Sequence, residues 1–195
     1  MTDTPTRRAV LGAGVFAAGS LFAIEYGAAE GPLPPTPACH DGGEATQQQT
    51  EGPYFKTSSP ERFELYEEGM SGQPIELAGL VLSRACKPLA GALLDFWQAD
   101  SKGRYDNSGF RLRGHQFTDA EGRYRLRSVV PGVYPGRTRH IHVKVQPSGG
   151  RVLTTQLYFP GESKNRSDGL FRKELLVRTA KNAGWIAGRF DFVID

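Results

Sequence analysis

Apolar and polar residues alternate with period two along several short stretches of this chain, and this pattern predicts β-strands. In His140–Gln146, for example, two histidines and a lysine share one face, while three branched aliphatic residues share the other. Segment 169–176 fits either a short helix or extended chain. The segments that fit strands are Ile75–Leu82, Ala92–Gln98, Tyr124–Val129, His140–Gln146, Val152–Phe159 and Arg189–Ile194. Short strands between turn signals predict an all-β fold, a β-sandwich of two packed sheets with long loops and minimal helix.

Composition agrees with a turn-rich β fold and narrows the range of functions. The chain has 195 residues, enough for one domain with a sizeable core, and it contains 24 glycines and 13 prolines. Its formal net charge of +3 is mild, and its sequence has no basic run with interleaved aromatic residues. We therefore expect no nucleic-acid partner, whereas the sequence leaves the oligomeric state open.

The N-terminus has the pattern of an export signal. Arg7 and Arg8 directly precede residues 9–24, a run rich in alanine and glycine that is short for a membrane span. Small residues at 27–29 offer a cleavage site, so we expect residues 1–30 to be a twin-arginine signal peptide. The protein would then be periplasmic or extracellular, with no stable membrane insertion after removal of the signal. An uncleaved anchor is the alternative.

The segment after this signal predicts an arm tied to a folded domain. Residues 31–50 are proline-rich and then polar, which indicates an extended arm before a domain at 51–195. The chain has two cysteines, Cys39 in the arm and Cys86 in the domain. In an oxidising compartment such an even pair predicts one disulfide, and two separate thiols are the alternative.

Four side chains are candidates for a metal centre. His140 and His142 lie roughly 7 Å apart along one strand face, a spacing at which two imidazoles can close on one ion. Tyr134 precedes them past a Pro-Gly bend, and Tyr105 lies in a loop after a core strand. A phenol with a pKa of about 10 binds as phenolate only to a strong Lewis acid. Two tyrosines with two histidines therefore indicate non-haem Fe(III), although each residue alone also fits an ordinary structural position.

Longer motifs accompany these side chains between Thr50 and Phe159. They are Thr50–Phe55, Asp95–Asp100 with Gly103–Tyr105, Arg113–Asp119, Gly122–Tyr124, Pro131–Pro135, Arg137–His142 and Thr155–Phe159. The most specific part is a tyrosine, a bend, an arginine three residues before His-x-His and a glutamine fourteen residues beyond it. With these motifs the chain resembles the intradiol ring-cleavage dioxygenases, the non-haem iron family that includes catechol, hydroxyquinol and protocatechuate dioxygenases.

The resemblance implies a role for each matching residue. Tyr105 and His140 match the equatorial iron ligands, and Tyr134 and His142 match the axial ones. Arg137 matches the arginine that stabilises negative charge on the bound substrate ring, and Gln156 matches a glutamine that lines the pocket. His115 matches no ligand position, so we interpret it as structural.

The resemblance also implies the reaction and the branch of the family. Both atoms of O₂ would be inserted into a catechol-type aromatic diol, cleaving the ring between the hydroxyl-bearing carbons to a muconate-type diacid. Tyr134 would leave the metal and accept a substrate proton. The helical N-terminal dimerisation region of the catechol branch has no counterpart here, so we expect a compact, exported single-domain enzyme with its catalytic domain at 51–195. The identity of the diol stays open.

Two other functions fit parts of the sequence. The segments Pro88–Ala92 and Thr118–Tyr124 also resemble the transthyretin-like sandwich modules of secreted carboxypeptidases, which bind or stabilise without chemistry. An exported copper or zinc protein using only the His-x-His pair is a further alternative. Neither alternative accounts for Tyr105, Tyr134 and the histidines together.

Overall fold

A computed structural model describes Met1, Cys39 and residues 44–195. The predicted signal peptide and most of the arm before residue 44 lie outside these described residues. Among the described residues no helix has the length and apolar character needed to cross a bilayer. The strands are β1 (Pro74–Ser83), β2 (Leu93–Trp97), β3 (Arg113–Phe117), β4 (Arg123–Val129), β5 (His140–Gln146), β6 (Leu153–Tyr158), β7 (Arg178–Asn182), β8 (Trp185–Arg189) and β9 (Phe192–Ile194). Two short 3₁₀ helices, Ser163–Arg166 and Lys173–Leu175, follow β6.

The strands form two sheets, which confirms the predicted β-sandwich. One sheet has the order β3-β2-β5-β6, with antiparallel neighbours throughout. The other has the order β4-β1-β8-β7, and β9 pairs with the far end of β1. Aliphatic side chains of β5 and β1 face each other between the sheets, and Ile141, Val143, Ile75 and Leu77 are all fully buried. Burial of this apolar face is the main force that holds the sheets together.

One edge of β1 pairs with β4, and its other edge pairs first with β8 and then with β9, because a short irregular segment separates β8 from β9. Gly79 marks this point, since a Cβ there would lie 1.8 Å from the carbonyl oxygen of Phe190. The amide of Leu80 donates to the Asp191 carboxylate at 2.9 Å instead of to a neighbouring strand. The prediction of a strand at Arg189–Ile194 is therefore wrong at its start. Arg189 is the last residue of β8, and β9 begins only at Phe192.

The outer face of the four-stranded sheet is covered by the chain that precedes β1. Residues 44–50 run in extended form, where Thr46 N donates to Val193 O and Gln49 N donates to Thr154 O, both at 2.8 Å. Further along, the ring of Phe55 packs edge-on against Trp97 of β2, with centroids 4.9 Å apart. Side chains on this outer face are thus buried although they point away from the sandwich core.

A disulfide ties the arm to the domain, as the cysteine count predicted. Cys39 and Cys86 are bonded, with Cα atoms 5.6 Å apart and a sequence separation of 47. Cys86 lies in the turn after β1, with a positive φ of 57°. The bond therefore fixes residue 39 of the arm close to the end of β1, the longest strand.

Candidate metal centre

Two histidines of β5 form the base of the candidate site. His140 and His142 are 3 % and 1 % exposed, and their Nε2 atoms lie 3.1 Å apart. Two imidazole nitrogens that bind one transition-metal ion at about 2.1 Å in adjacent positions lie about 3.0 Å from each other. The pair thus already has the spacing of two ligands on one ion.

Neighbouring groups fix the orientation of both rings. The Nδ1–H of His140 donates to the carbonyl oxygen of Thr138 at 2.7 Å, which leaves the lone pair on Nε2. The ring of His142 stacks on the indole of Trp97, with centroids 4.8 Å apart and planes 8° from parallel. Trp97 is the cross-strand partner of His142 on β2, so the sheet register itself supplies this support.

Burial keeps both imidazoles neutral. It lowers the pKa of His140 to about 4, and the nearby positive charge of Arg137 acts in the same direction. Burial also places the pKa of His142 well below its ordinary value, and the His140 ring and Arg137 contribute further. Neutral imidazoles have free lone pairs at neutral pH, so these rings need lose no proton to bind a metal.

The two predicted tyrosines lie beside this pair. The ring of Tyr134 is 5.7 Å from that of His140, and the ring of Tyr105 is 6.2 Å from that of His142. The two phenol rings are 5.9 Å apart, edge to face. The hydroxyl of Tyr105 is buried and makes no well-formed hydrogen bond, although the Tyr134 hydroxyl lies close enough to raise its pKa. A buried hydroxyl without a partner is costly, and a metal ion between the rings would satisfy it.

The pKa values of the two phenols indicate which kind of metal ion they could bind. Burial raises the pKa of Tyr105 far above its ordinary value, and the neighbouring Tyr134 adds to the effect. Burial also raises the pKa of Tyr134, although the charge of Arg137 opposes this. Both phenols are therefore protonated at neutral pH unless a strong Lewis acid displaces their protons. This donor set fits a trivalent ion such as Fe(III).

A close backbone approach brings the two tyrosines together. Gly103 has a positive φ of 79°, and a Cβ there would lie 2.3 Å from the carbonyl oxygen of Val133. Because glycine has no side chain, the loop that bears Tyr105 can lie directly against the segment that bears Tyr134. Tyr105 and Tyr134 both follow this contact within two residues along the chain.

The loop of Tyr105 is further held by the segment at 53–56. The ring of Tyr54 stacks on that of Tyr105 at 4.2 Å. The buried guanidinium of Arg113 donates to the carbonyl oxygen of Tyr54 at 2.6 Å and to that of Asp106 at 3.0 Å. The first motif of the sequence thus contributes Tyr54 as a support for a donor, a role that sequence reasoning missed.

Arg137 and Gln156 lie next to the candidate donors, Arg137 beside Tyr134 and Gln156 beside His142. The Nη1 of Arg137 donates to the hydroxyl oxygen of Tyr134 at 3.3 Å, and its Nη2 donates to Oε1 of Gln156. Gln156 is fully buried, is the cross-strand partner of His142, and donates to the carbonyl oxygen of Thr50 at 2.8 Å. A fixed positive charge therefore lies beside the hydroxyl of Tyr134.

The structure brings all six predicted site residues together and leaves His115 apart. These six are Tyr105, Tyr134, Arg137, His140, His142 and Gln156. The Nδ1 of His115 instead lies 2.8 Å from the carbonyl oxygen of Ser59, which agrees with its structural interpretation. Among the described residues no group of three or more His, Cys, Asp and Glu could hold a metal ion. Asp168, described below, is a site neighbour that no sequence motif indicated.

The sequence of the chain matches a known protein family. The sequence profile described as Dioxygenase matches residues 50–195. The protocatechuate 3,4-dioxygenase beta chain of Burkholderia cepacia is 35% identical over 119 residues, covering 52% of this chain and 51% of that protein. Catechol 1,2-dioxygenase 2 of Acinetobacter lwoffii is 32% identical over 180 residues, covering 74% of this chain and 65% of that protein. The chain thus spans about half to two thirds of the length of these two relatives.

Solved structures give the same result. The dioxygenase domain of a dioxygenase carbohydrate-binding protein fusion from Streptomyces sp. SirexAA-E is 56% identical, with a TM-score of 0.77, covering 78% of this chain and 99% of that one. The 3-chlorocatechol 1,2-dioxygenase of Rhodococcus opacus 1CP is 29% identical, with a TM-score of 0.70, covering 76% of this chain and 72% of that one.

Proposed function

Because this chain belongs to the intradiol ring-cleavage dioxygenase family, we propose that it is a non-haem Fe(III) dioxygenase acting on a catechol-type aromatic diol. Relatives of the chain are named catechol, chlorocatechol and hydroxyquinol 1,2-dioxygenases. The observation that carries the proposal is the pair of Nε2 atoms 3.1 Å apart beside two phenols, one of which has a buried hydroxyl without a well-formed hydrogen bond. A transthyretin-like binding module has no use for such a donor set.

The iron would be held by Tyr105, Tyr134, His140 and His142. When bound, it would supply the Lewis acidity that ionises phenols and diol hydroxyls and draws electron density from the ring. The protein contributes neutral imidazoles, two phenols and a largely buried surround. Two phenolates and two neutral imidazoles would leave a ferric centre with a net charge of +1.

Tyr134 is the residue that would move a proton. In the loaded site its phenolate oxygen would accept a proton from the entering diol and become a neutral hydroxyl, which keeps the charge of the site nearly constant. Tyr134 suits this role because it is only half-buried, whereas both histidines are buried. Arg137, 3.3 Å away through Nη1, remains cationic and would stabilise negative charge as it develops on the ring.

The proposed reaction balances without an external reductant. Both atoms of O₂ enter the product, the bond between the two hydroxyl-bearing carbons breaks, and a muconate-type diacid forms. The chain's own part is to orient the diol beside Arg137 and Gln156 and to limit the access of water. Gln156 suits a pocket wall because its side chain is fixed by Arg137 and by the carbonyl oxygen of Thr50.

Metal analysis and oxygen uptake test this proposal directly. We expect the purified chain to hold one iron per molecule, to show a broad visible band, and to consume one O₂ per diol cleaved. The panel is catechol, protocatechuate, hydroxyquinol and substituted catechols. Tyr134→Phe should weaken the band and abolish turnover, whereas Tyr66→Phe, whose ring packs on Trp185, should change neither. A colourless protein that holds zinc or copper and consumes no oxygen would contradict the proposal.

We further propose that residues 1–30 direct export through the twin-arginine pathway. The support is the arginine pair before a short apolar run, and these residues lie outside the described part of the chain. A reporter fused after residue 30 should reach the periplasm, and changing Arg7 and Arg8 to lysine should retain it in the cytoplasm. Export that is unaffected by the double substitution would refute this proposal.

A further inference from the structure

We propose that Asp168 is a positioning residue that fixes the guanidinium of Arg137 against the candidate metal centre. Its carboxylate lies between the two 3₁₀ helices that follow β6, beyond the last of the sequence motifs. This inference rests on the proposed function, because the placement of Arg137 matters for turnover only if negative charge develops at this site.

The carboxylate of Asp168 is buried and bonds to the segment that carries Arg137. Its Oδ2 accepts the Nε–H of Arg137 at 3.0 Å and the amide of Thr138 at 2.7 Å. Its Oδ1 accepts the amide of Leu170 at 2.9 Å, and the residue is 7 % exposed. One side chain therefore holds both the guanidinium and the backbone next to it.

Fixing one edge of a guanidinium determines where its other edge points. The group is planar, and its N–H bonds form a rigid fork. With Nε on Asp168 and Nη2 on Gln156, the remaining Nη1 is directed towards the hydroxyl of Tyr134. The position of the charge at the site is thus set by two supports, an anion on one side and an amide on the other.

The two supports are themselves linked through Tyr158. Its hydroxyl lies 3.0 Å from Oε1 of Gln156 and 2.8 Å from the carbonyl oxygen of Leu170. The amide of Leu170 donates to Asp168, and Tyr158 has one proton to share between its two acceptors, so it connects the loop of Asp168 to Gln156. Loss of the Asp168 charge removes the anion that holds Nε of Arg137 and leaves the guanidinium on Gln156 and the Tyr134 hydroxyl.

Kinetics of single and double variants separate positioning from simple stabilisation of the loop. Asp168→Asn preserves the size of the side chain and removes its charge. Misplacement of a group that acts in the transition state costs about 10–100-fold in kcat, and we expect this loss with little change in KM. In an Arg137→Met background the same Asn substitution should change kcat by less than about twofold, because a residue that acts through Arg137 has nothing left to position.

Glu162→Gln is the matched control. Glu162 lies on the same segment after β6 and pairs with Arg139 at 2.9 Å, where both side chains are about a quarter exposed. The pair thus joins the same two parts of the chain as Asp168 and Arg137. It contacts none of the four candidate donors through a described hydrogen bond, so kcat should be retained.

A measurement independent of turnover reports on the bond itself. The Nε–H of Arg137 should exchange slowly with solvent in ¹⁵N NMR spectra of the purified full chain, recorded metal-free and loaded with diamagnetic Ga(III). Asp168→Asn should accelerate this exchange by about tenfold or more, and Glu162→Gln should leave it unchanged. Asp168→Glu, which retains the charge but displaces it, should accelerate exchange as well and serves if the Asn variant does not fold.

The outcomes distinguish the two levels of inference. A wild-type chain that cleaves no diol contradicts the proposed function, while the exchange rate still decides whether Asp168 holds Arg137. If the wild type is active, unchanged kcat in Asp168→Asn overturns the positioning role. An equal loss of kcat in the Arg137→Met background also overturns it, because the effect would then not pass through Arg137.

Discussion

The unpaired hydroxyl of Tyr105 leads to a prediction with opposite signs in the metal-free and metal-loaded protein. This hydroxyl is buried without a hydrogen-bond partner, and its ring is already held by stacking on Tyr54. A buried polar group that lacks a partner costs about 1–3 kcal/mol. Tyr105→Phe removes the hydroxyl and preserves the ring, so we expect the free energy of unfolding of the metal-free protein to rise by up to about that amount.

The same substitution should weaken the metal-loaded protein. A ligand that binds only the folded state stabilises it in proportion to the logarithm of its concentration over Kd. Loss of one of four donors raises Kd for Fe(III), so the stabilisation by added iron should shrink in Tyr105→Phe and the visible band should weaken. Urea unfolding with and without iron, followed by fluorescence, measures both effects on one preparation.

A buried tyrosine in the sandwich core provides the control. The hydroxyl of Tyr124 donates to the carbonyl oxygen of Phe190 at 2.8 Å, so Tyr124→Phe should destabilise the protein by about 1 kcal/mol, equally with and without iron. The reasoning is refuted if Tyr105→Phe destabilises the metal-free protein as Tyr124→Phe does, or if iron stabilises the Tyr105 variant as strongly as the wild type.

Three further predictions follow from local geometry. Gly103→Ala should destabilise the protein by about 1–3 kcal/mol and weaken metal binding, because φ is +79° and the new Cβ would collide with Val133; calorimetry and metal titration measure this. Burial opposes ionisation of Asp168, yet the amides of Thr138 and Leu170 and the charge of Arg137 lower its pKa below 3.8. The ionised Asp168 carboxylate therefore stabilises the folded protein above pH 3.8, and this stabilisation is lost as the pH falls below that value. The difference in unfolding free energy between wild type and Asp168→Asn should accordingly narrow in acid. Replacing both cysteines by serine should cost about 2–4 kcal/mol in urea unfolding, because the disulfide closes a long loop.

The strands that the sequence predicted are those with one apolar face in the core. In β5 every aliphatic residue is fully buried, which is why the alternation was easy to read. Strands β7 and β8 were missed because Arg178–Asn182 and Trp185–Arg189 form a partly exposed hairpin with little apolar alternation. Strand β3 was missed because Arg113–Phe117 begins with a buried arginine and a glycine and ends with an exposed phenylalanine.

The sequence predicted the site residues that lie close together along the chain but not Asp168, which is distant from them. Tyr134, Arg137, His140 and His142 lie within one short segment, so their spacing along the chain already predicted a cluster. Asp168 reaches the same cluster from a loop 31 residues after Arg137, and nothing in its local sequence marks it. Such a residue is visible only once the fold has placed the two segments side by side.

The arrangement of charge explains why the donors can stay uncharged until a metal arrives. Arg137, which pairs with Asp168 at 3.0 Å, favours ionisation of Tyr134, but burial has the larger effect and raises the pKa of this phenol. The folded chain therefore holds two neutral imidazoles beside two neutral phenols, with the Arg137–Asp168 ion pair next to them. An ion of high charge would offset the loss of two phenol protons in such surroundings better than a divalent ion, which is why trivalent iron is the metal proposed for this site.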